Sequence, residues 1–309
     1  MTTDAAIARF ELAHEVHGAV PCVVVQPGSG SASLPVCLFL YGGGGNPENL
    51  AQLAPILLQQ WREERLAPMR IACAGVPPFC FYLDDAERGM HWESVVSDHL
   101  LTAVRSRFDV TDANALVGIS MGGYGALKIA FAHSATFHAV AAVAPMLEPA
   151  LRADAAPLRN RFHYPDDVPA ALLGAQRDAA LYAADHPANR AIQQASAIRA
   201  RELGIYLDAG GGDALNAHDG AEFLHRVLWD LDIRHDYHLL RAADHVGPSV
   251  LPRLLRAFAW VGQQLTRPVT EPSAEEQGLR DLLAGARERA ARQDPTVTRN
   301  YGRLPPSGC

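Results

Sequence analysis

Gly118-Ile119-Ser120-Met121-Gly122-Gly123-Tyr124-Gly125-Ala126-Leu127-Lys128 holds the pattern Gly-x-Ser-x-Gly. A short apolar run, Asn114-Ala115-Leu116-Val117, precedes it, and residues 126–132 after it have helical composition. A strand that turns sharply into a helix lifts a serine hydroxyl out at the top of a sheet, so this context predicts an exposed nucleophile at Ser120. So tight a turn leaves no room for side chains beside the serine. Gly118 and Gly122 supply that room, and Gly123 and Gly125 let the helix approach the strand. The bare pattern can arise by chance in a chain with 25 glycines, so the reading rests on its surroundings.

Working outward, strand-like runs fall at 20–25, 36–41, 70–75, 113–119, 139–144, 205–208 and 234–240. Several are continuously apolar, as strands buried on both faces of a parallel sheet are. Helical runs at 47–66, 93–107, 121–133, 220–231 and 248–265 lie between them. That alternation predicts βαβ units and a mostly parallel, helix-flanked sheet of the α/β class. It occupies residues 1–266, with no internal repeats. The stretch 146–203 interrupts the rhythm and carries five prolines. It is expected to form a partly helical lid over the carboxyl edge of the sheet. The tail, 267–309, offers a charged, Ala-rich helix at 275–292 that packs outside or frays, and no chemistry is assigned to it.

Composition narrows the function. At 309 residues the chain can bury a large core without staples. A net charge of −7 with no Lys/Arg cluster excludes a nucleic-acid partner. No helix carries a basic polar face and no apolar run reaches 18 residues, so no membrane partner is expected. Five cysteines, an odd number without C-x-x-C spacing, indicate neither a disulfide framework nor a metal site. The N-terminus lacks the basic start and apolar core of an export signal, which predicts a cytoplasmic protein. A homo-oligomer is compatible with all of this.

A serine hydroxyl needs an adjacent base to become a nucleophile, and the base needs an orienting group. Downstream of Ser120, the run Ile205-Tyr206-Leu207-Asp208 leads into Ala209-Gly210-Gly211-Gly212-Asp213. The run ending Tyr237-His238-Leu239-Leu240 leads into Arg241-Ala242-Ala243-Asp244-His245. Asp213, past a glycine turn, is the candidate acid, with Asp208 at the strand end as competitor. His245 is chosen among 13 histidines because it follows the last strand and precedes an apolar helix. His238, inside that strand, is expected to face a core or helix layer, and His218 lies on the acid's own loop. Acyl transfer also needs donors where negative charge develops. The Met121 backbone N–H is one, and the loop Tyr41-Gly42-Gly43-Gly44-Gly45-Asn46 supplies the other, with Gly43 the choice and Gly42 and Gly44 beside the substrate. No Lys-Ser/Thr follows these glycines, so they do not form a phosphate loop.

Trp92-Glu93-Ser94 through His99-Leu100, the Ser120 segment, Phe137-His138-Ala139-Val140-Ala141-Ala142-Val143-Ala144-Pro145, Leu207 to Asp213 and His245 together resemble the putative-esterase family. That family includes S-formylglutathione hydrolases, feruloyl esterases and mycolyltransferases, and the likeness spans roughly residues 20–265. The resemblance implies an α/β-hydrolase fold and cleavage of a small-molecule ester or thioester without metal or organic cofactor. It maps the family's nucleophile, acid and base onto Ser120, Asp213 and His245. Many members have His-Gly where this chain has Tyr41-Gly42, a change that a backbone donor tolerates. Loops 77–90 and 146–200 would line the acyl and alcohol pockets. The aromatic candidates there are Phe79, Phe81, Tyr82, Trp92 and Tyr124, with Trp92 and Tyr124 assigned to substrate binding, although each also suits a core. An acyltransferase, a thioesterase, a serine peptidase and a catalytically silent ligand-binding protein are the alternative readings of the same machinery.

Overall fold

The apolar runs assemble into one eight-stranded sheet. The computed structural model describes residues 6–28, 33–157, 160, 179–266, 273–293, 297–299 and 302–303. Its sheet strands are β1 (Ile7–His14), β2 (Gly18–Val25), β3 (Leu34–Leu40), β4 (Arg70–Ala74), β5 (Val110–Ile119), β6 (Ala139–Val143), β7 (Gly204–Gly210) and β8 (Asp236–Leu240). They lie in the order β1-β2-β4-β3-β5-β6-β7-β8. From β4 to β8 every neighbour is parallel, whereas β1 and β2 join as an antiparallel hairpin at one edge.

This is the mostly parallel sheet expected. β4 and β6 are buried at every position, which explains why β6 is wholly apolar and β4 is apolar after Arg70. β1 was not expected. Its sequence, Ile-Ala-Arg-Phe-Glu-Leu-Ala-His, mixes charge with apolar residues because it is a half-exposed edge.

The main helices are α1 (Glu48–Arg62), α2, α3 (Met121–Ala132), α4 (Ala179–Asp185), α5 (Pro187–Gln193), α6 (Ala195–Ala200), α7 (Ala217–Asp230), α8 (Val250–Thr266) and α9 (Ala274–Gln293). Here α2 comprises Trp92–Ser94, a π-helical Val95–Leu100 and Leu101–Arg107. α3 is apolar apart from Lys128 and the Tyr124 hydroxyl and is almost wholly buried, as befits a helix sealed between the sheet and other helices. The described side chains of α9 are mostly exposed, in line with a tail that carries no core.

The described half of the insertion, α4 to α6, lies against α3 and α7. Residues 158–159 and 161–178, the middle of the expected lid, fall outside the described residues. A buried ionic knot fastens this half to α3. Lys128 of α3, with no exposure, sits 2.5 Å from Asp185 and 3.1 Å from Glu93. Arg190 of α5 reaches both Glu93 oxygens, at 2.5 and 2.9 Å. Burial opposes ionisation of Glu93, but Lys128, His133 and Arg190 outweigh it and hold the carboxyl far below the usual range. Two acids and two bases removed from water together meet the condition under which buried charge is tolerated.

Candidate active site

Ser120 occupies the turn between β5 and α3 with φ 57° and ψ −122°, a conformation that L side chains rarely adopt. What makes it attainable is the missing Cβ on either side. A Cβ on Gly118 would stand 2.0 Å from the Gly122 carbonyl oxygen, and one on Gly122 would stand 1.9 Å from the Leu40 oxygen. Backbone bonds fix the turn. The Ser120 N–H donates to Val143 O of β6 at 2.9 Å, and Ser120 O accepts from Met146 N at 3.1 Å.

Three side chains converge here from three strand ends. Ser120 Oγ lies 2.8 Å from His245 Nε2. His245 Nδ1 lies 2.8 Å from Asp213 Oδ2. Asp213 Oδ1 accepts from the Leu215 N–H at 2.8 Å, so its carboxylate is held from both sides. Asp213 and His245 are buried, and Ser120 is partly open. The relay is continuous from acid to hydroxyl.

Asp208 has other work. Fully buried, it faces Arg253 of α8, whose Nε donates to its Oδ1 at 2.5 Å. Burial pushes the Asp208 carboxyl up while Arg253 pulls it down. Arg253 also donates to the Asp244 carbonyl at 2.8 Å, next to His245. The Asp244 side chain accepts from His245 N at 2.6 Å and from Ala214 N at 3.0 Å. These bonds join the acid loop to the base loop and hold the Asp244 carboxyl below the usual range. Neither Asp244 nor Arg253 was singled out in the sequence. The Asp244-His245 pair is visible there, but its tie to Ala214 is purely tertiary.

The early glycine loop borders the serine. A Cβ on Gly42 would come 3.2 Å from Ser120 Cβ and 3.7 Å from its Oγ. Gly45 N donates to Gly42 O at 2.9 Å, closing the loop, and Gly44 faces open space. Gly43 is covered by the ring of Phe79. Met121 begins α3, where the first N–H groups have no partner within the helix and point toward the nucleophile's end. Tyr41, standing where histidine was the alternative, welds this loop to its neighbour. Its hydroxyl donates to Val76 O at 2.8 Å and accepts from Val76 N at 2.5 Å.

The aromatic candidates divide sharply. Trp92 is buried and stacks on His17 at 3.7 Å, so its face is spent on the β1–β2 hairpin. Tyr124 is buried, donates to Asp185 Oδ2 at 2.8 Å and meets Phe81 edge-on. Neither presents a surface to a substrate, which corrects both assignments. Both are core residues. Phe81 and Tyr82 are buried too, whereas Phe79 is 45% exposed. His238 is exposed because β8 is the edge strand, contrary to the expected core or helix layer. His218, in the first turn of α7, lies 3.6 Å from Asp219. Cys22, Cys37, Cys73 and Cys80 are free and buried. Among the described residues no His, Cys, Asp and Glu group could hold a metal ion, and no helix is long and apolar enough to cross a membrane.

Comparison with known proteins bears on the family and the fold. The family model "Putative esterase" matches residues 79–242, slightly more than half of the chain. No curated protein matches the sequence. Among solved structures, a ferulic acid esterase superposes with a TM-score of 0.68 at 17% identity, covering 84% of this chain and 98% of the other. An S-formylglutathione hydrolase from Agrobacterium tumefaciens gives 0.66 at 17%, covering 84% and 95%. The fluorophosphonate-binding serine hydrolase FphF of Staphylococcus aureus gives 0.64 at 16%, covering 83% and 98%. At such identities the likeness is one of fold.

Proposed function

The chain belongs to the "Putative esterase" family of ester hydrolases, and from that premise we propose that Ser120, His245 and Asp213 cleave carboxylic esters or thioesters of small or medium-sized molecules through an acyl-enzyme. The observation that carries this is the unbroken pair of 2.8 Å contacts from Asp213 through His245 to Ser120.

In this reaction Ser120 Oγ forms a bond to the ester carbon while its proton passes to His245 Nε2. Asp213 keeps the imidazole oriented with Nδ1 protonated and stabilises the imidazolium. The carbonyl oxygen becomes an oxyanion held by the backbone N–H groups of Met121 and Gly43, each such donor contributing roughly 3 kcal/mol. Collapse breaks the bond to the alcohol, which leaves with the proton from His245. Water then gives its proton to the same nitrogen, attacks the acyl carbon and releases the acid, and Ser120 recovers its proton. The chemistry calls for no metal or organic cofactor. Four buried free thiols suit a reducing compartment, in keeping with a cytoplasmic protein.

Intact mass after incubation with a serine-reactive fluorophosphonate tests the reading. One adduct on the wild type, absent from Ser120→Ala, is the expected result. A folded wild type that stays unlabelled and hydrolyses no ester would overturn it in favour of a silent binding protein.

A further inference from the structure

One apolar side chain stands out beside the nucleophile. Phe79 is 45% exposed, although it sits in a loop whose other aromatics are buried. Its ring lies against the glycine loop: a Cβ added to Gly43 would fall 2.6 Å from Phe79 Cε1. Gly42, the neighbour, touches Ser120. Ring, glycine loop and nucleophile are therefore contiguous.

The ring is held in place rather than left loose. Phe79, Phe81 and Tyr82 all have positive φ, at 55°, 48° and 54°, which aromatic residues seldom adopt. Tyr82 anchors the loop by donating to Tyr41 O at 3.1 Å, and its ring fills the space left by Gly125. Phe81 packs on Tyr124 at 5.4 Å. The Tyr41 hydroxyl ties Val76 to the glycine loop. Two buried aromatics thus brace a third that faces solvent.

Topology decides which half of a substrate this ring meets. β5, carrying Ser120, lies between β3 and β6. His245 and Asp213 arrive from β8 and β7 on one side, while the glycine loop and Phe79 follow β3 and β4 on the other. The leaving group must face His245, which protonates it. The oxyanion takes the N–H groups, and the remaining substituent, the acyl chain, points to the β3–β4 side.

We propose that Phe79 is a specificity-determining residue that packs against the acyl group, so that the enzyme favours esters of apolar acids larger than acetate. This deepens the hydrolase reading above and rests on it. An exposed aromatic face gains from covering apolar acyl surface, and one methylene in such contact changes relative rates by about tenfold or more.

The test is kcat/KM for p-nitrophenyl acetate, hexanoate and benzoate in the wild type, Phe79→Ala and Phe79→Leu, with Leu279→Ser on the exposed tail helix as control. A parallel series holds the acid constant as acetate and varies the alcohol from methyl to hexyl. The wild type is expected to prefer hexanoate and benzoate to acetate. Phe79→Ala should lower that preference about tenfold, chiefly through KM, while Phe79→Leu keeps the hexanoate preference and loses that for benzoate. The alcohol-series ratio and the control should not move. Equal loss on all acyl groups, or a shift confined to the alcohol series, would overturn the assignment while leaving the hydrolase reading intact. Absence of turnover on every ester together with absence of a fluorophosphonate adduct would remove the hydrolase reading itself.

Discussion

The Arg253 guanidinium faces the Asp208 carboxylate at 2.5 Å, and neither group is exposed to solvent. Arg253 reaches on to the carbonyl of Asp244, one residue before His245. Removing one member leaves the other charged and dry, which costs about 3–5 kcal/mol. Arg253→Met should therefore lower the unfolding free energy measured in urea by that amount and reduce turnover, because the His245 loop loses its support. Replacing both, as Asp208→Leu with Arg253→Met, should restore most of the stability. A single variant as stable as the wild type would show that the pair supports nothing.

The choice between the two acids of the β7 region is open to kinetics. Asp213→Asn leaves the shape intact but removes the acceptor that orients His245, so kcat should fall by roughly 10⁴-fold. A loss of less than tenfold on a p-nitrophenyl ester would assign the orienting role elsewhere.

Tyr124 is assigned here to the core, not to substrate. Tyr124→Phe deletes the hydroxyl that donates to Asp185 and leaves that buried oxygen one bond short, at a cost of about 1–3 kcal/mol. Chemical denaturation should register that loss while KM stays unchanged. A raised KM with unchanged stability would return Tyr124 to the binding site.

Acid should weaken the fold through His186. This residue is buried, stacks on Tyr182 at 4.8 Å and caps α5 by accepting from Ala188 N at 3.2 Å. Burial pushes its pKa down to about 3 from 6.5. The unfolded chain therefore takes up the proton first. Stability falls as pH drops from about 6.5 toward about 3, by about 1.4 kcal/mol per pH unit from this one group. His186→Asn keeps a capping acceptor but cannot titrate. Between pH 7 and pH 5 it should lose about 2 kcal/mol less than the wild type. Parallel slopes in urea titrations of the two proteins would refute the attribution.

The readable part of the sequence was the part governed by local rules. Ser120 was evident because its glycines and its strand–helix context are contiguous, and Asp213 and His245 followed from lying just past strand ends. Residues defined by what faces them were not readable. Tyr124 and its partner Asp185 are 61 positions apart, and Trp92 meets a histidine of the first hairpin. Spacing alone cannot say whether an aromatic will be covered. Lys128 was equally opaque, since a lysine in a helix is ordinarily solvated and only the meeting of Glu93, Asp185 and Arg190 makes its burial tenable. β1 was missed because an edge strand need not repeat the apolar run of a central one.

Ser120 and His245 are separated by 125 residues, and His245 hangs from β8, the outermost strand on its side of the sheet. Reactivity at Ser120 is thus a clock for the end of folding. Helix and the central strands can form from contacts closer in sequence, but the hydroxyl meets its partner only once a loop of 125 residues has closed and the last strand has docked. In a refolding experiment, recovery of fluorophosphonate labelling should trail recovery of helical circular dichroism, and the interval between them measures the docking of that single edge.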